Sequence, residues 1–372
     1  MSARKKLHQW HGWAGIILVV PFLVICLTGS IIVFKKELDA WLMPEIATLE
    51  PTEQARLPLT ELTAEVNEQL PNYEIGSWEI FPEGHDEADR VFVIKKGTDE
   101  WHKAYLNPYT GELQAGPTES GHYLTDWLVE LHYTLLLNDL PYVDEHLGLI
   151  VSFILAVFLV FMGISGLIIY RKFWLRFFTL RWNQRLLVVF SDLHKMFGTF
   201  ASPVLLVLGI TGGYYSAIIY YEEWKEHGSG EQHHIMTDRL YNSELNIDAL
   251  VADSEQQIEG FKPTYLLFPF EPELPFTVFG RAPTANPLLS NYGSVSNYDP
   301  WTGEYQSTYN LNEQGVGMKT LDSFRRLHFG TFAGMPIKIL WSFVGVIPLL
   351  LAVSGTYMWL KRKSWKRRRK SR

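Results

Sequence analysis

The residues of this chain with the clearest potential for chemistry are histidines at or near long apolar runs. Six of the twelve histidines have this position: His8, His11, His132, His146, His194 and His328. The other six fall in polar segments: His85, His102, His122, His227, His233 and His234. An imidazole at membrane depth costs free energy unless its nitrogens find partners, and neutral imidazole is a common metal ligand. The first set therefore predicts a metal-binding function.

Four apolar runs must position these histidines, and they cover residues 13–34, 146–170, 199–221 and 337–360. Each run is close to the ~20 residues that a helix needs to cross the hydrocarbon layer of a bilayer. The composition, with 47% hydrophobic residues in a chain of 372, suits a protein that is part membrane-embedded and part water-exposed. The runs therefore predict four transmembrane helices joined by polar segments.

Charge is divided between the polar segments by sign. Residues 1–6, 171–185 and 361–372 contain basic side chains and no carboxylate side chain. Residues 35–145 contain 23 acidic against 7 basic side chains, and residues 222–320 contain 15 against 5. Because cytoplasmic loops carry an excess of Lys and Arg, we expect a multi-pass membrane protein. Its two termini and middle loop would face the cytoplasm, and its acidic blocks would face outside.

The two halves of the chain repeat the same short motifs in the same order. The matching motifs are Leu7-His8 with Leu193-His194, Thr28-Gly29 with Thr211-Gly212, residues 107–112 with 299–304, Leu131-His132 with Leu327-His328, and Ser165-Gly166 with Ser354-Gly355. Self-similarity of this kind indicates repeated structural units. Each half is therefore predicted to contain a helix, an outside domain and a second helix.

These patterns divide the chain into eight predicted segments. The segments are 1–34 (transmembrane helix 1), 35–145 (outside domain 1 with an interfacial helix), 146–170 (transmembrane helix 2), 171–190 (cytoplasmic loop), 191–221 (transmembrane helix 3), 222–335 (outside domain 2 with an interfacial helix), 336–360 (transmembrane helix 4) and 361–372 (basic cytoplasmic tail). Within the outside domains we expect helices near 58–70 and 245–260, and strands near 88–95, 101–106 and 274–280. The predicted fold class is an α-helical integral membrane protein with four transmembrane helices as an internal duplication and two small α+β domains outside.

The repeated motifs resemble those of the PepSY-associated transmembrane family. They are Leu-His-x-x-x-Gly at the start of helices, a Pro-Tyr/Trp-Thr-Gly-Glu turn at residues 108–112 and 300–304, and a basic tail. The resemblance covers essentially the whole chain, and within the family it is strongest to iron-regulated inner-membrane ferrisiderophore reductases of the ferrioxamine type. It implies two PepSY-like periplasmic domains and a haem-bearing protein that reduces a ferric siderophore. The first motif reads Leu-His-Gln-Trp-His-Gly, so His11 competes with His8 for any role carried over from the family.

The repeat and the topology together predict which histidines meet. His8 and His194 occupy equivalent positions near the cytoplasmic surface, and His132 and His328 occupy equivalent positions near the outer surface. Haem iron takes axial ligands along one line, and imidazoles from facing helices of a bundle can supply them. We therefore predict two b-type haems, one held by each pair.

Two further histidines remain alternatives. His11 lies three residues after His8, hence on the same helical face, where it either contacts a propionate or is itself the ligand. His146 has no histidine counterpart in the second half, where Leu340 or Trp341 occupies the matching position. Both remain second choices as haem ligands.

Residues beside the predicted ligands suggest further contacts to a haem. Lys195, Arg325 and Arg326 carry positive charge that suits haem propionates or an anionic substrate. The positive-inside rule explains Lys195 equally well. The Thr-Gly and Ser-Gly pairs are explained by close helix packing, with room beside a macrocycle as the second explanation. No residue is singled out as catalytic.

Two haems near opposite membrane faces predict an oxidoreductase that passes electrons across the membrane. The resemblance implies a ferric hydroxamate siderophore such as ferrioxamine as the substrate, and reduction would release its iron because hydroxamate oxygens hold Fe(II) less well than Fe(III). The chain has no Gly-x-Gly-x-x-Gly fingerprint, so the electron donor is expected to be a quinol or a separate cytosolic reductase. The lipid bilayer is a partner, and nucleic acid is not. A haem or siderophore carrier and a non-enzymatic PepSY regulatory membrane protein remain the alternatives.

Overall fold

The computed structural model of the protein describes residues 2–82, 84–138, 140–141, 146–170, 179–227 and 233–370, with side chains up to residue 364 except at 226 and 227. Residues 171–178 of the predicted middle loop and the end of the predicted tail lie outside this description. The chain separates into two compact units. The membrane unit comprises Met1–Phe34, Leu128–Gly228 and Leu327–Arg372, and the sheet unit comprises Lys35–Trp127 and Ser229–Arg326.

The helices of the described residues are numbered in chain order across both units. They are α1 Ala3–Ile17, α2 Val19–Ile32, α3 Lys35–Leu42, α4 Pro44–Ala47, α5 Leu59–Gln69, α6 Leu124–Thr134, α7 Leu147–Ile169, α8 Leu186–His227, α9 Ile247–Gln257, α10 Val316–Phe329 and α11 Gly334–Lys370.

Three of these helices, α7, α8 and α11, are long and apolar enough to cross a membrane. Helices α1 and α2 together provide a fourth apolar stretch of sufficient length, but they are bent by 70° where they meet. The chain thus has three candidate spans, or four if the bent pair forms one span. This agrees with a helical membrane protein, and it places the first predicted span in two helices instead of one.

The break between α1 and α2 falls at Leu18 and has a local cause. Pro21 lies in the first turn of α2 and lacks the N–H that would bond to the carbonyl of Ile17 four residues earlier. Pro203 and Pro348 lie inside α8 and α11, yet these helices continue through them. A proline alone therefore does not decide whether a span of this protein is straight.

Helix α8 packs along both α7 and α11 in the membrane unit. Ala201 and Leu205 of α8 and Val344 and Ile347 of α11 form a small buried cluster between their helices. On the α7 side, a Cβ added at Gly209 would lie 3.3 Å from the carbonyl oxygen of Ala156, so a glycine permits this close approach. These contacts hold α8, which carries His194, against the helices that carry Ser165 and Ser354.

The sheet unit contains one antiparallel sheet of eight strands. The strands are β1 Tyr73–Glu79, β2 Asp89–Lys95, β3 Trp101–Leu106, β4 Leu113–Glu119, β5 Lys262–Leu267, β6 Phe276–Arg281, β7 Ser294–Tyr298 and β8 Tyr305–Tyr309. Their order in the sheet is β4-β3-β2-β1-β5-β6-β7-β8. Each half of the sheet is a four-stranded meander preceded by a helix, α5 in the first half and α9 in the second. The predicted helices and strands of these regions are present.

The two halves of the sheet meet at β1 and β5, which pair through Ser77 with Leu267 and Trp78 with Leu266. Trp78 and Leu266 are fully buried and belong to a core that also includes Leu62 of α5 and Leu250 of α9. The segments predicted as two small α+β domains therefore share one continuous sheet and one core.

The Pro-aromatic-Thr-Gly turns connect β3 to β4 and β7 to β8. Gly111 and Gly303 have φ values of 76° and 74°, a left-handed conformation that glycine adopts without strain. Their backbone N–H groups donate to the carbonyls of Asn107 and Asp299, each at 2.9 Å. The predicted role of these motifs as turns between strands is confirmed.

Candidate functional site

Four histidines of the membrane unit meet as two pairs of facing rings. The first histidine pair is His11 of α1 and His194 of α8, whose ring centroids are 6.4 Å apart. The second histidine pair is His132 of α6 and His328 of α10, whose ring centroids are 6.2 Å apart. Each pair takes one ring from each half of the sequence.

A hydroxyl group holds each of the four rings at the same nitrogen. The distances from Nδ1 are 2.7 Å to Ser165 for His11, 2.9 Å to Ser354 for His194, 3.2 Å to Thr28 for His132 and 2.9 Å to Thr211 for His328. In the sequence these four residues are explained by helix packing, and their contacts with the histidines were not predicted. Each hydroxyl belongs to the same half of the chain as the histidine that it contacts.

The direction of these hydrogen bonds fixes the protonation of the rings. Thr28, Thr211 and Ser354 each donate their hydroxyl hydrogen to the carbonyl four residues earlier in their own helix, at 2.7, 2.8 and 2.7 Å. Ser165 donates to the carbonyl of Met162, three residues earlier, at 3.3 Å. Because a hydroxyl has a single hydrogen, its oxygen must accept from the imidazole. Nδ1 therefore carries the proton, and Nε2 keeps the lone pair that binds a metal.

A glycine follows each hydroxyl residue in the sequence and leaves space for the ring. A Cβ added at Gly29 would lie 2.7 Å from Cε1 of His132, and one added at Gly212 would lie 3.0 Å from Cε1 of His328. A Cβ added at Gly355 would lie 3.3 Å from Cε1 of His194, and one added at Gly166 would lie 3.6 Å from Cε1 of His11. The repeated Thr-Gly and Ser-Gly pairs thus supply both an acceptor for Nδ1 and room for the imidazole.

The histidine that faces His194 is His11, the second choice of the sequence analysis, and not His8. Nε2 of His8 instead lies 3.1 Å from Nη1 of Arg362. A signal for His11 is present in the sequence, because His11 precedes Thr28 by 17 residues and His194 precedes Thr211 by 17 residues. Matching the Leu-His dipeptides aligns His8 with His194 and hides this spacing.

The remaining candidate residues lie elsewhere. His146 directly precedes α7, and its ring is 5.6 Å from that of Tyr220. Lys195 is next to His194 in sequence, and its Nζ lies 3.8 Å from Asp192. Arg325 and Arg326, also proposed for propionates, belong to the sheet unit.

Both arginines contact other residues of the sheet unit. The guanidinium of Arg325 lies 4.5 Å from the centre of the Tyr292 ring. Arg326 donates to the carbonyl of Pro287 at 2.9 Å and to Asn291 at 2.7 Å. Contacts of these two residues to a haem remain a prediction.

The geometry of the two pairs suits a metal complex with two axial imidazoles. Metal–imidazole bonds of about 2 Å, with about 1 Å from each ring centre to its nitrogen, separate two such centroids by about 6 Å. Among the described residues no group of three or more His, Cys, Asp or Glu side chains is arranged to hold a metal ion. A site with two protein ligands matches haem, because the porphyrin supplies the other four donors to the iron.

The two pairs lie at different levels along α8. This helix carries His194 of the first pair, and it also carries Thr211, which contacts His328 of the second pair. His194 and Thr211 are 17 positions apart, which corresponds to about 25 Å along a continuous helix. That distance is close to the ~30 Å thickness of the hydrocarbon layer. The pairs are therefore suited to opposite faces of a bilayer.

Comparison with known proteins gives a family for the chain. No curated protein matches it. The family described as "PepSY-associated TM region" matches residues 8–362, which include both histidine pairs and all four hydroxyl partners. The motifs that carried the resemblance lie within this range, and the chain belongs to the family of the PepSY-associated TM region.

Proposed function

We propose that the protein is a di-haem membrane reductase that passes electrons across the bacterial inner membrane to a periplasmic ferric siderophore. The single observation that carries the proposal is the arrangement of the two histidine pairs. In both pairs Nδ1 is engaged by a hydroxyl, Nε2 is left as the ligating nitrogen, and the centroid distance matches two axial imidazoles.

The role of the chain in this function is to hold two cofactors at fixed orientation and depth. A haem held by these histidines would supply reversible uptake of one electron. The hydroxyl partners fix the tautomer of the ligands, and an oriented histidine ligand binds its metal more tightly. His11 and His194 would hold the haem on the cytoplasmic side, and His132 and His328 the haem on the periplasmic side.

The proposed substrate is a ferric hydroxamate such as ferrioxamine. One electron converts its Fe(III) to Fe(II), for which hydroxamate oxygens have much lower affinity, so the metal is released and the chelator stays intact. The acidic residues of the two segments assigned to the periplasm favour a cationic complex over an anionic one, in a salt-dependent way. The electron donor in this proposal is a quinol or a cytosolic reductase.

Haem content and spectra of the purified protein test the proposal. We expect a haem-to-protein ratio near two and a reduced-minus-oxidised spectrum that is reversible with dithionite. Replacement of His11 or His194 with Ala should remove about half of the haem after haem-replete expression. His8→Ala, three residues from His11, should remove clearly less, and His122→Ala in the sheet unit should leave both haems in place. A colourless protein from the same expression would refute the proposal, and equal losses in His8→Ala and His11→Ala would refute the pairing.

A haem or siderophore carrier is the second candidate, and the 70° break between α1 and α2 favours it. Broken transmembrane helices are common at the binding sites of transporters. A carrier should release its haem during purification or to an excess of apomyoglobin, whereas a reductase should retain it. Retention of haem together with reduction of a ferric hydroxamate therefore separates the two candidates.

A further inference from the structure

His8 and Arg362 contact each other beside the first histidine pair, and the proposed function does not use this contact. Nη1 of Arg362 lies 3.1 Å from Nε2 of His8. The guanidinium of arginine is always protonated and only donates, so Nε2 of His8 accepts. The proton of the His8 ring is then on Nδ1, which leaves an N–H group for another acceptor.

His8 lies on α1, the helix that carries His11, and Arg362 lies on α11, the helix that carries the hydroxyl partner of His194. His8 precedes His11 by three residues on α1, so both lie on one face of the helix. Arg362 follows Ser354, the hydroxyl partner of His194, by eight residues on α11, which is about two turns.

Arg362 is available to an anion. Within the described part of the chain its polar contact is to His8, and no carboxylate lies within ion-pair distance. The nearby carboxylate of Asp192 instead accepts two bonds from Arg181, both 2.9 Å long. Arg362 and His8 are both exposed, so a ligand can reach them.

The contact does not belong to the repeated framework of the histidines. With His11 matched to His194, the residue that corresponds to His8 in the second half is Ser191, which has a hydroxyl but no ring nitrogen. With Ser354 matched to Ser165, the residue that corresponds to Arg362 in the first half is Phe173, which has no charge. The positive-inside rule accounts for a cation at the end of α11. It does not account for an imidazole whose Nε2 accepts from that cation and whose proton is therefore on Nδ1. The unrepeated pair of donors therefore suggests a ligand specific to this end of the membrane unit.

We propose that Arg362 and His8 bind the carboxylates of the tetrapyrrole held by His11 and His194. A guanidinium binds one carboxylate through two parallel N–H groups. Nδ1–H of His8 points away from Arg362 and is available to the other carboxylate. This inference rests on the proposed function, because it concerns the same haem. It assigns a cofactor contact to Arg362, which lies outside the residues singled out in the sequence.

Esterified haem provides the test, because haem dimethyl ester keeps the porphyrin and the iron but has no free carboxylate. The full chain with His132→Ala and His328→Ala retains the first pair alone, and haem and its dimethyl ester are titrated into the haem-free form by absorbance. We expect haem to bind about tenfold or more tightly than the ester, which is the size expected for hydrogen bonds between charged groups. Adding Arg362→Ala or His8→Ala should abolish most of this preference, and Arg362→Lys should retain part of it.

Lys363→Ala is the matched control, because Lys363 is the neighbouring cation on α11 and its Nζ lies over the Trp359 ring at 4.6 Å. This variant should keep the full preference for haem. Equal affinity of the starting protein for haem and its ester would overturn the inference while leaving the proposed haem site intact. The inference would also be overturned if the Arg362→Ala variant preferred haem over its ester as strongly as the Lys363→Ala variant does. If neither haem nor its ester binds to the starting protein, the proposed function fails, and this inference fails with it.

Discussion

At the scale of single residues, the chemistry of the site depends on which imidazole nitrogen carries the proton. All four rings contact a hydroxyl through Nδ1, and each hydroxyl donates its own hydrogen to a helix carbonyl. His132 also has the carbonyl of Ile25 at 2.9 Å from Nδ1, an acceptor that requires the same tautomer. The hydroxyl residues are thus expected to control both the orientation and the ligand strength of the histidines.

Removal of one hydroxyl partner should weaken haem binding at one site. We expect Ser354→Ala to lower the haem affinity of the first pair by roughly 10- to 100-fold, the range found for residues that orient metal ligands. Haem titration of the protein with the second pair removed measures this affinity. Ser202→Ala is the control, because Ser202 bonds to the carbonyl of Gly198 within α8 in the same way and has no histidine partner. Equal affinities of the two variants would contradict the assigned role of Ser354.

Much of the site could be predicted from residue types, but not its pairing. The four Ser and Thr residues were visible as repeated motifs, yet a hydroxyl before a glycine in an apolar helix is explained equally well by packing. Only the contacts across helices show that Ser165 accepts from His11. The choice between His8 and His11 could have been made from the 17-residue spacing to Thr28, but the Leu-His dipeptides favoured the other alignment of the two halves.

At the scale of elements, His132 and His328 each require a helix without a side chain at the point of contact. Gly29 of α2 is the tightest of the four, since a Cβ there would lie 2.7 Å from Cε1 of His132, closer than carbon atoms approach without displacement. We expect Gly29→Ala to displace the His132 ring and to remove the haem of the second pair, which lowers the haem-to-protein ratio from about two to about one.

The control for this change is Gly198→Ala on α8, where the nearest atom to a new Cβ is Cδ2 of Leu351 at 3.7 Å. Both changes replace a helical glycine with alanine and therefore gain the same ~1 kcal/mol of helix propensity. Gly198→Ala should keep both haems. Retention of both haems in Gly29→Ala as well would show that the ring of His132 does not need this space.

The sheet unit contains a partly buried ion network that connects α3, β3 and α6. Lys35 lies 2.9 Å from Asp126 and 2.7 Å from Asp39, and Lys103 also pairs with Asp126. Burial alone would raise the pKa of Asp126, but the charges of Lys103 and Lys35 outweigh burial and lower this pKa below its ordinary value. The folded sheet unit therefore prefers the ionised form of Asp126 more strongly than the unfolded chain does.

This preference predicts the direction of one pH effect on stability. A carboxyl with a lowered pKa in the folded state stabilises the fold above its unfolded pKa, and the stabilisation is lost as pH falls towards the folded value. We expect the free energy of unfolding of the protein in detergent, followed by tryptophan fluorescence, to decrease below about pH 4. Asp126→Asn should flatten this decrease, and the exposed Asp99→Asn should not. A pH profile unchanged by Asp126→Asn would exclude the network as its source.

The elements of the sheet unit were easier to predict than their assembly. Alternating strands and the Pro-aromatic-Thr-Gly turns located β2, β3 and β6 in the sequence, because these patterns are local. The pairing of β1 with β5 joins Ser77 to Leu267 across 190 positions of sequence, and the alternation of apolar residues does not identify a partner strand. The sequence therefore predicts two small domains where the chain forms one sheet.

At the scale of the whole molecule, the proposed function requires both histidine pairs at once. The pairs occupy levels about 25 Å apart along α8, and apolar helix surface lies between them. We expect proteoliposomes that enclose a ferric hydroxamate and a ferrous-specific chelator to form the coloured ferrous complex when reductant is added outside. His194→Ala and His328→Ala, which each lose one haem and keep the other, should both lower this rate at least tenfold, whereas His122→Ala in the sheet unit should not. Full activity in either single-haem variant would show that electrons do not need both sites, and the second pair would then require another explanation.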